Sequence, residues 1–384
     1  MYNLINKADD FQSCVDSLSQ KSQFSIDLEF DKNRFRYGFN LCLMQIFDGK
    51  DCYLIDPLSD DIDIKKIFPL IEDPKIEKVA FSFSEDLRLL HSLGCYPQNV
   101  YDISFAAALL NFPPVSLTKL LHMVLEIETD KSSQQSNWFK RPLSEDQKNY
   151  AAEDVIYLLQ MKNIFEIKAK EAGVHDWIKQ ENYHFTDSDY ADVDHNGSLK
   201  EKDKGDLSEF EWHIFNKLID FREELAEEMN KPAFHLFDKH HLTLIARNKS
   251  RINDWDEVPS VHRSLKDESF KQRLRALVHN AEREAEELNL SKEPKSAGRL
   301  SKDDYDRNRM INERFKLAKK TVFGRIQAML DERIGKFART FIISNRLIKE
   351  IANNDLENLL PYKKELFDAL AKESELPVDK YISG

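Results

Sequence analysis

Phe24-Ser-Ile-Asp-Leu-Glu-Phe30 is the stretch on which the reading of the fold turns. Its residues alternate with a period of two, the pattern of a β-strand. Ile26, Leu28 and Phe30 fall on one face, and Asp27 and Glu29 share the other. Leu41-Cys-Leu-Met-Gln-Ile-Phe47 reads as the next strand, Asp48-Gly49 as a turn, and Cys52-Tyr-Leu-Ile55 as the strand after it. Glu77-Lys-Val-Ala-Phe-Ser82 reads as a further short strand. Helices are predicted over 85–93, 102–110, 116–125 and 144–170. Such alternation predicts an α/β class domain, a mixed sheet flanked by helices, over residues 1–180.

Residues 181–206 are polar and aperiodic and read as an acidic linker. From Leu207 the pattern is helical, with Trp212, Phe215, Leu218, Ile219 and Leu225 spaced by three and four. A polar break at Ser291-Lys-Glu-Pro-Lys-Ser-Ala-Gly298 divides this half into all-α blocks over 207–290 and 299–384, read as diverged copies of one module. No apolar run approaches the ~20 residues that span a bilayer. The N-terminus carries no signal-peptide core, so a cytoplasmic protein without a membrane partner is expected; a monomer is expected as well. Cys14, Cys42, Cys52 and Cys95 form no C-x-x-C pair and read as reduced thiols rather than a zinc site.

The net charge is −12, and all of it lies in residues 1–200, with 33 acidic against 21 basic; residues 201–384 hold 35 of each. An acidic chain is at first sight a poor binder of phosphate backbones, which need Lys and Arg. A divalent-metal site, however, is itself built from acids.

Asp27 and Glu29 place two like charges side by side on an apolar strand. Desolvation makes their repulsion costly, and a bound cation removes that cost. A strand end open to solvent accommodates the same pair without a ligand. In Tyr150-Ala-Ala-Glu-Asp154, Tyr150 and Asp154 stand i and i+4 on one helix face. Phe83-Ser-Glu-Asp-Leu87 sets Asp86 in the first turn of a helix that follows a strand, with Ser84 as the natural N-cap. Helix-dipole chemistry explains an acid there equally well.

Taken together, Asp-x-Glu, a central Asp and Tyr-x-x-x-Asp resemble the tyrosine subclass of the DEDD exonuclease superfamily. Ser84-Glu-Asp-Leu87, Tyr101-Asp102 and Trp138-Phe-Lys-Arg-Pro-Leu143, leading into Tyr150-Ala-Ala-Glu-Asp154, are similar to the ribonuclease D family. The blocks after 207 resemble HRDC domains. The resemblance implies a ribonuclease-H-like exonuclease domain followed by HRDC-type helical domains. It implies two Mg²⁺ or Mn²⁺ ions held by Asp27, Glu29, Asp86 and Asp154, with Tyr150 orienting the attacking water. It further implies 3′–5′ trimming of RNA 3′ ends, of the kind that matures tRNA, with release of nucleoside 5′-monophosphates. A single-stranded DNA exonuclease and a catalytically inactive nucleic-acid-binding scaffold are the alternatives; retention of all five residues speaks against the scaffold.

The sequence departs from the family at Phe81-Ser-Phe-Ser84, where His or Asn is usual at the first position, and at Ser133-Gln-Gln-Ser-Asn137. His91 and His122 lie beside leucines and read as packing residues, and Asp102 as a structural helix N-terminal residue. Lys131, Lys140 and Arg141 flank Trp138, the arrangement of basic and aromatic residues that suits a strand terminus, and Phe30 is a candidate wedge against the terminal base. Arg299–Arg325 holds nine basic residues against four acidic, including Arg307, Arg309, Arg314, Lys319 and Lys320, and is the candidate phosphate track.

Overall fold

The computed structural model describes residues 2–129, 135–188, 190, 204–294, 302–354 and 359–382. They form two compact units, one from residues 1–29, 41–192 and 301–384, the other from 30–40 and 193–300.

The first unit carries the sheet. Its strands are β1 (Tyr2–Ile5), β2 (Gln23–Lys32), β3 (Phe39–Phe47), β4 (Cys52–Ile55), β5 (Glu77–Ala80) and β6 (Val100–Asp102), in the order β1-β4-β3-β2-β5-β6. β1 runs parallel to β4, β2 to β5 and β5 to β6, while β3 and β4 are antiparallel. The sheet is therefore mixed, as the alternation predicts. The end of β2 and the start of β3 extend into the second unit, where Tyr37 packs on the core.

The helices of this unit are α1 (Ala8–Leu18), α2 (Phe68–Glu72), α3 (Ser84–Ser92), α4 (Ile103–Leu109), α5 (Leu117–Leu125), α6 (Glu145–Ile156), α7 (Leu158–Glu171) and α8 (His175–Asp187). Two differ from the sequence reading. The helix expected over 144–170 is broken at Tyr157 (φ −100°, ψ −10°), next to the Val155 carbonyl that the Ser25 hydroxyl engages at 2.8 Å. And α8 runs on into the stretch read as linker, because its polar residues find internal partners: the Asn182 amide oxygen accepts the Asp102 N–H at 2.7 Å, and Glu181 accepts the Tyr362 hydroxyl at 2.5 Å. The short β1 and β6 and helix α1 carry too little periodicity to be read from sequence.

The helices after residue 301 share one hydrophobic core with α4, α5 and α7, in which Phe323, Phe367 and Tyr362 lie with Leu120, Leu158 and Phe165. A turn of π-helix over Lys319–Phe323 interrupts the long helix that begins at Lys302. The second unit has its own core around Trp255, Phe237, Phe270 and Phe215, and the Trp255 indole donates to the Leu265 carbonyl at 2.9 Å. All four cysteines are buried free thiols. No helix among the described residues is long and apolar enough to cross a membrane.

Candidate active site

Asp27 and Glu29 stand in the middle of β2, the fifth and seventh of its ten residues. On the same face of the strand, the Ser25 hydroxyl donates to the carbonyls of Val155 (2.8 Å) and Phe47 (3.3 Å). The first of these bonds ties the end of α6 across β2 and so brings Asp154, the residue before Val155, over the two acids. Oxygens of Asp27, Glu29 and Asp154 lie within 4.8 Å of one another. Burial, then the charges of Asp86, Asp154 and Glu29, hold the Asp27 carboxyl well above the usual range. Glu29 is raised by burial and by Asp154 and Asp86. Like charges in a poorly solvated site favour either protons or a bound cation.

Asp86 joins them from the first turn of α3. It is 7% exposed, and its Oδ1 is buried without a hydrogen-bond partner. Burial lifts its carboxyl to about 7, against the opposing pull of backbone N–H groups, its own and that of Leu28. The placement of α3 differs from expectation. The N-cap is Phe83, not Ser84, and no side chain caps it locally. The loop is held instead from β6: the buried Asp102 carboxylate accepts the N–H groups of Ser82 (2.9 Å), Phe83 (2.8 Å) and Ser104 (2.8 Å). Ser82 adopts φ +55°, a left-handed conformation uncommon for a residue with a Cβ, and this anchoring supports it. Asp102 thus has the structural role read from the sequence, and a larger one: it caps α4 and fixes the approach to Asp86.

Tyr150 lies on α6, whose start is fixed by the Ser144–Gln147 capping box. Its hydroxyl is hydrogen-bonded to Asp154, and burial together with the neighbouring carboxylates keeps the phenol protonated far above its ordinary range. The five residues chosen from the sequence are therefore linked through one cluster.

The expected nucleic-acid contacts fare differently. Trp138 is 3% exposed and packs in the core 6.2 Å from the Tyr150 ring, so it offers no face to a base. The Arg141 guanidinium is occupied: it makes two bonds to Asp56, at 2.6 and 2.7 Å, and donates to the carbonyls of Cys42 and Trp138. Both are corrections, and both have the same cause. An Arg and a Trp beside a loop have the composition of a binding patch, but here a distant acid and an apolar layer claim them. Lys140 is exposed, and Lys131 lies outside the described residues. Phe30 packs edge-on to Phe39 at 5.1 Å. Arg307, Arg309, Arg314 and Lys320 are exposed; Arg309 pairs with Glu313 at 2.9 Å, and Lys319 bonds Asn345 at 2.9 Å. Ser25 carries no motif signal in the sequence beyond a lone hydroxyl on an apolar strand.

A 3′–5′ exonuclease family profile matches residues 2–170, which contain all five residues. Ribonuclease D of Desulfotalea psychrophila is 30% identical over 249 residues, 64% of this chain and 66% of that protein. Ribonuclease D of Bartonella henselae is 28% identical over 280 residues, 69% of this chain and 68% of that protein. For ribonuclease D of Haemophilus influenzae the identity is 31%, over 60% of this chain and 59% of that protein. Among solved structures, the Escherichia coli RNase D, an exoribonuclease involved in structured RNA processing, superposes with a TM-score of 0.65 at 22% identity, covering 97% of this chain and 99% of that one. A protein from Bifidobacterium adolescentis gives a TM-score of 0.74 at 18% identity over 97% of both chains. These two show the shared fold. The sequence matches to ribonuclease D run past the exonuclease segment itself, and the chain belongs to the ribonuclease D-like 3′–5′ exonucleases.

Proposed function

We propose that this protein is a metal-dependent exoribonuclease that hydrolyses the terminal phosphodiester at RNA 3′ ends and releases nucleoside 5′-monophosphates. The observation that carries the reading is the carboxylate cluster: oxygens of Asp27, Glu29 and Asp154 lie within 4.8 Å, beside the unpartnered buried Oδ1 of Asp86. An all-oxygen, strongly anionic donor set fits hard divalent cations such as Mg²⁺ or Mn²⁺. Two such ions, held by these four residues, supply an acidified water and neutralise charge on the phosphate. The residues themselves do the rest. Asp154 accepts the hydrogen bond of Tyr150 and fixes its hydroxyl, which orients the attacking water in line with the departing 3′ oxygen. Burial of the cluster sharpens each of these interactions by excluding water.

On the same reading, residues 207–290 are an HRDC-type module that holds the body of the RNA, and the exposed Arg307, Arg314 and Lys320 on the helices after 301 contact its phosphates. Structured RNA such as a tRNA precursor is the expected substrate, since a structural relative is described as processing structured RNA. The test uses RNA and single-stranded DNA, each labelled at the 3′ or the 5′ end, with Mg²⁺, Mn²⁺ or EDTA. Stepwise loss from the RNA 3′ end, abolished by EDTA and by Asp27→Asn, is expected. Shortening that survives EDTA, or that starts at the 5′ end, overturns the mechanism. Equal rates on DNA overturn the RNA assignment.

A further inference from the structure

A cleft of about 640 Å³ opens within the compact unit that holds the carboxylates, lined by Phe81 and Ser82, by α4 and α5, and by the Lys336–Ile342 helix. Its volume falls in the ~300–1,000 Å³ range of sites for small organic groups. Its position follows from the loop after β5. β5 ends at Ala80, and Phe81 and Ser82 form the loop that leads into α3, whose first turn carries Asp86. The same loop is held by the Asp102 carboxylate through the N–H groups of Ser82 and Phe83, so one wall of the cleft is fixed to the segment that positions Asp86.

The lining is aromatic, and its rings fall into two sets. Phe105, Phe112 and Phe341 are already packed: Phe105 on Phe185 at 5.1 Å and on Phe341 at 5.8 Å, Phe112 on Phe165 at 5.2 Å. Phe81 and Phe337 pair with no other ring among the described residues; Phe81 is half-buried against the core, and Phe337 is 38% exposed. Next to Phe337, Lys336 is exposed and makes no ion pair among the described residues. The helix that presents both is held in place. Gly335 adopts φ +88°, and a Cβ there would come within 2.1 Å of the Asn111 side chain. Asn111 in turn accepts the N–H of Phe337 at 2.9 Å and that of Ala338 at 3.3 Å.

We propose that this cleft is a stacking subsite for an unpaired base of the RNA strand upstream of the scissile phosphodiester. Phe81 and Phe337 supply the ring faces, and Lys336 contacts the adjoining phosphate. An exposed cation at an aromatic cleft, one wall of which leads into the helix that carries Asp86, matches the chemistry of a single strand. The helices after 301 thereby contribute directly to substrate binding within the unit that holds the carboxylates. The inference rests on the exoribonuclease reading above.

The test is a set of single-stranded RNAs with 2-aminopurine moved one position at a time, bound in EDTA so that no strand is cut. With wild-type protein, quenching is expected to peak at one internal position. Phe337→Ala loses that peak and binds roughly 5- to 100-fold more weakly, the span of base–aromatic stacking. Phe337→Trp keeps the peak. Lys336→Ala weakens binding and reduces the slope of log affinity against log salt by about 1. An unchanged quenching profile and affinity in Phe337→Ala overturn the subsite, as does a broad profile with no preferred position. Trimming assays in Mg²⁺ separate the two claims. Normal 3′ trimming with an unchanged Phe337→Ala profile sinks the subsite alone. No trimming, with a peak that Phe337→Ala abolishes, sinks the exonuclease reading and keeps the subsite.

Discussion

Replacing Asp86 by Asn is expected to stabilise the metal-free protein above neutral pH while destroying its activity. Burial raises the Asp86 carboxyl from 3.8 to about 7, and the residue is only 7% exposed. The folded state therefore holds a proton that the unfolded chain releases. Below about pH 4 both states are protonated and there is no penalty; as pH rises toward 7 the penalty grows, and above 7 it is complete. A gap of that size corresponds to ~4 kcal/mol. Asn keeps an oxygen acceptor for the backbone N–H groups but gives up charge-assisted bonds, a loss of ~1–2 kcal/mol. The net gain at pH 8 is then ~2–3 kcal/mol, shrinking to near zero by pH 5, where the wild-type carboxyl is already mostly protonated. Urea unfolding in EDTA at several pH values measures this directly. Wild type should lose stability between pH 5 and 8, and Asp86→Asn should show a flatter profile. Mn²⁺ should stabilise wild type at pH 8 and the variant much less. If Asp86→Asn is less stable than wild type at pH 8 in EDTA, or if the two profiles run parallel, the account of a strained anionic cluster is wrong.

Tyr150→Phe removes the hydroxyl bonded to Asp154 and should lower kcat by about 10- to 100-fold while changing the Mn²⁺ affinity little, as isothermal titration can show; a larger effect on metal affinity contradicts the water-orienting role. Asp102→Ala leaves three N–H groups without an acceptor and should cost ~3–4 kcal/mol in urea unfolding. It should also depress kcat by displacing Asp86, and Asp102→Asn should recover part of both losses. Arg141→Ala strands Asp56 and two carbonyls in a partly exposed site, so a stability loss of ~2–3 kcal/mol is expected, with a salt dependence of RNA affinity like that of wild type; a shallower salt slope would return Arg141 to the phosphate contacts.

Much of this protein was legible in the sequence because the signals are local. The two-residue period around Asp27 and Glu29 fixes a strand face, and the i, i+4 spacing of Tyr150 and Asp154 fixes a helix face, whatever surrounds them. Matching segments around those residues pointed to the family. Tertiary structure decided the matters in which a residue's role depends on a distant partner. Asp86, on α3, is placed by Asp102, which lies sixteen positions later on β6. Ser25 ties β2 to α6 across 130 residues, and no periodicity reports such a bond. Trp138 and Arg141 have the composition of a binding loop, yet the core and Asp56 claim them, because burial and ion pairing are properties of the packed chain. The helices after 301 read as a block of their own, and only packing shows that their apolar faces complete the core of the exonuclease unit and set Phe337 in one cleft with Phe81.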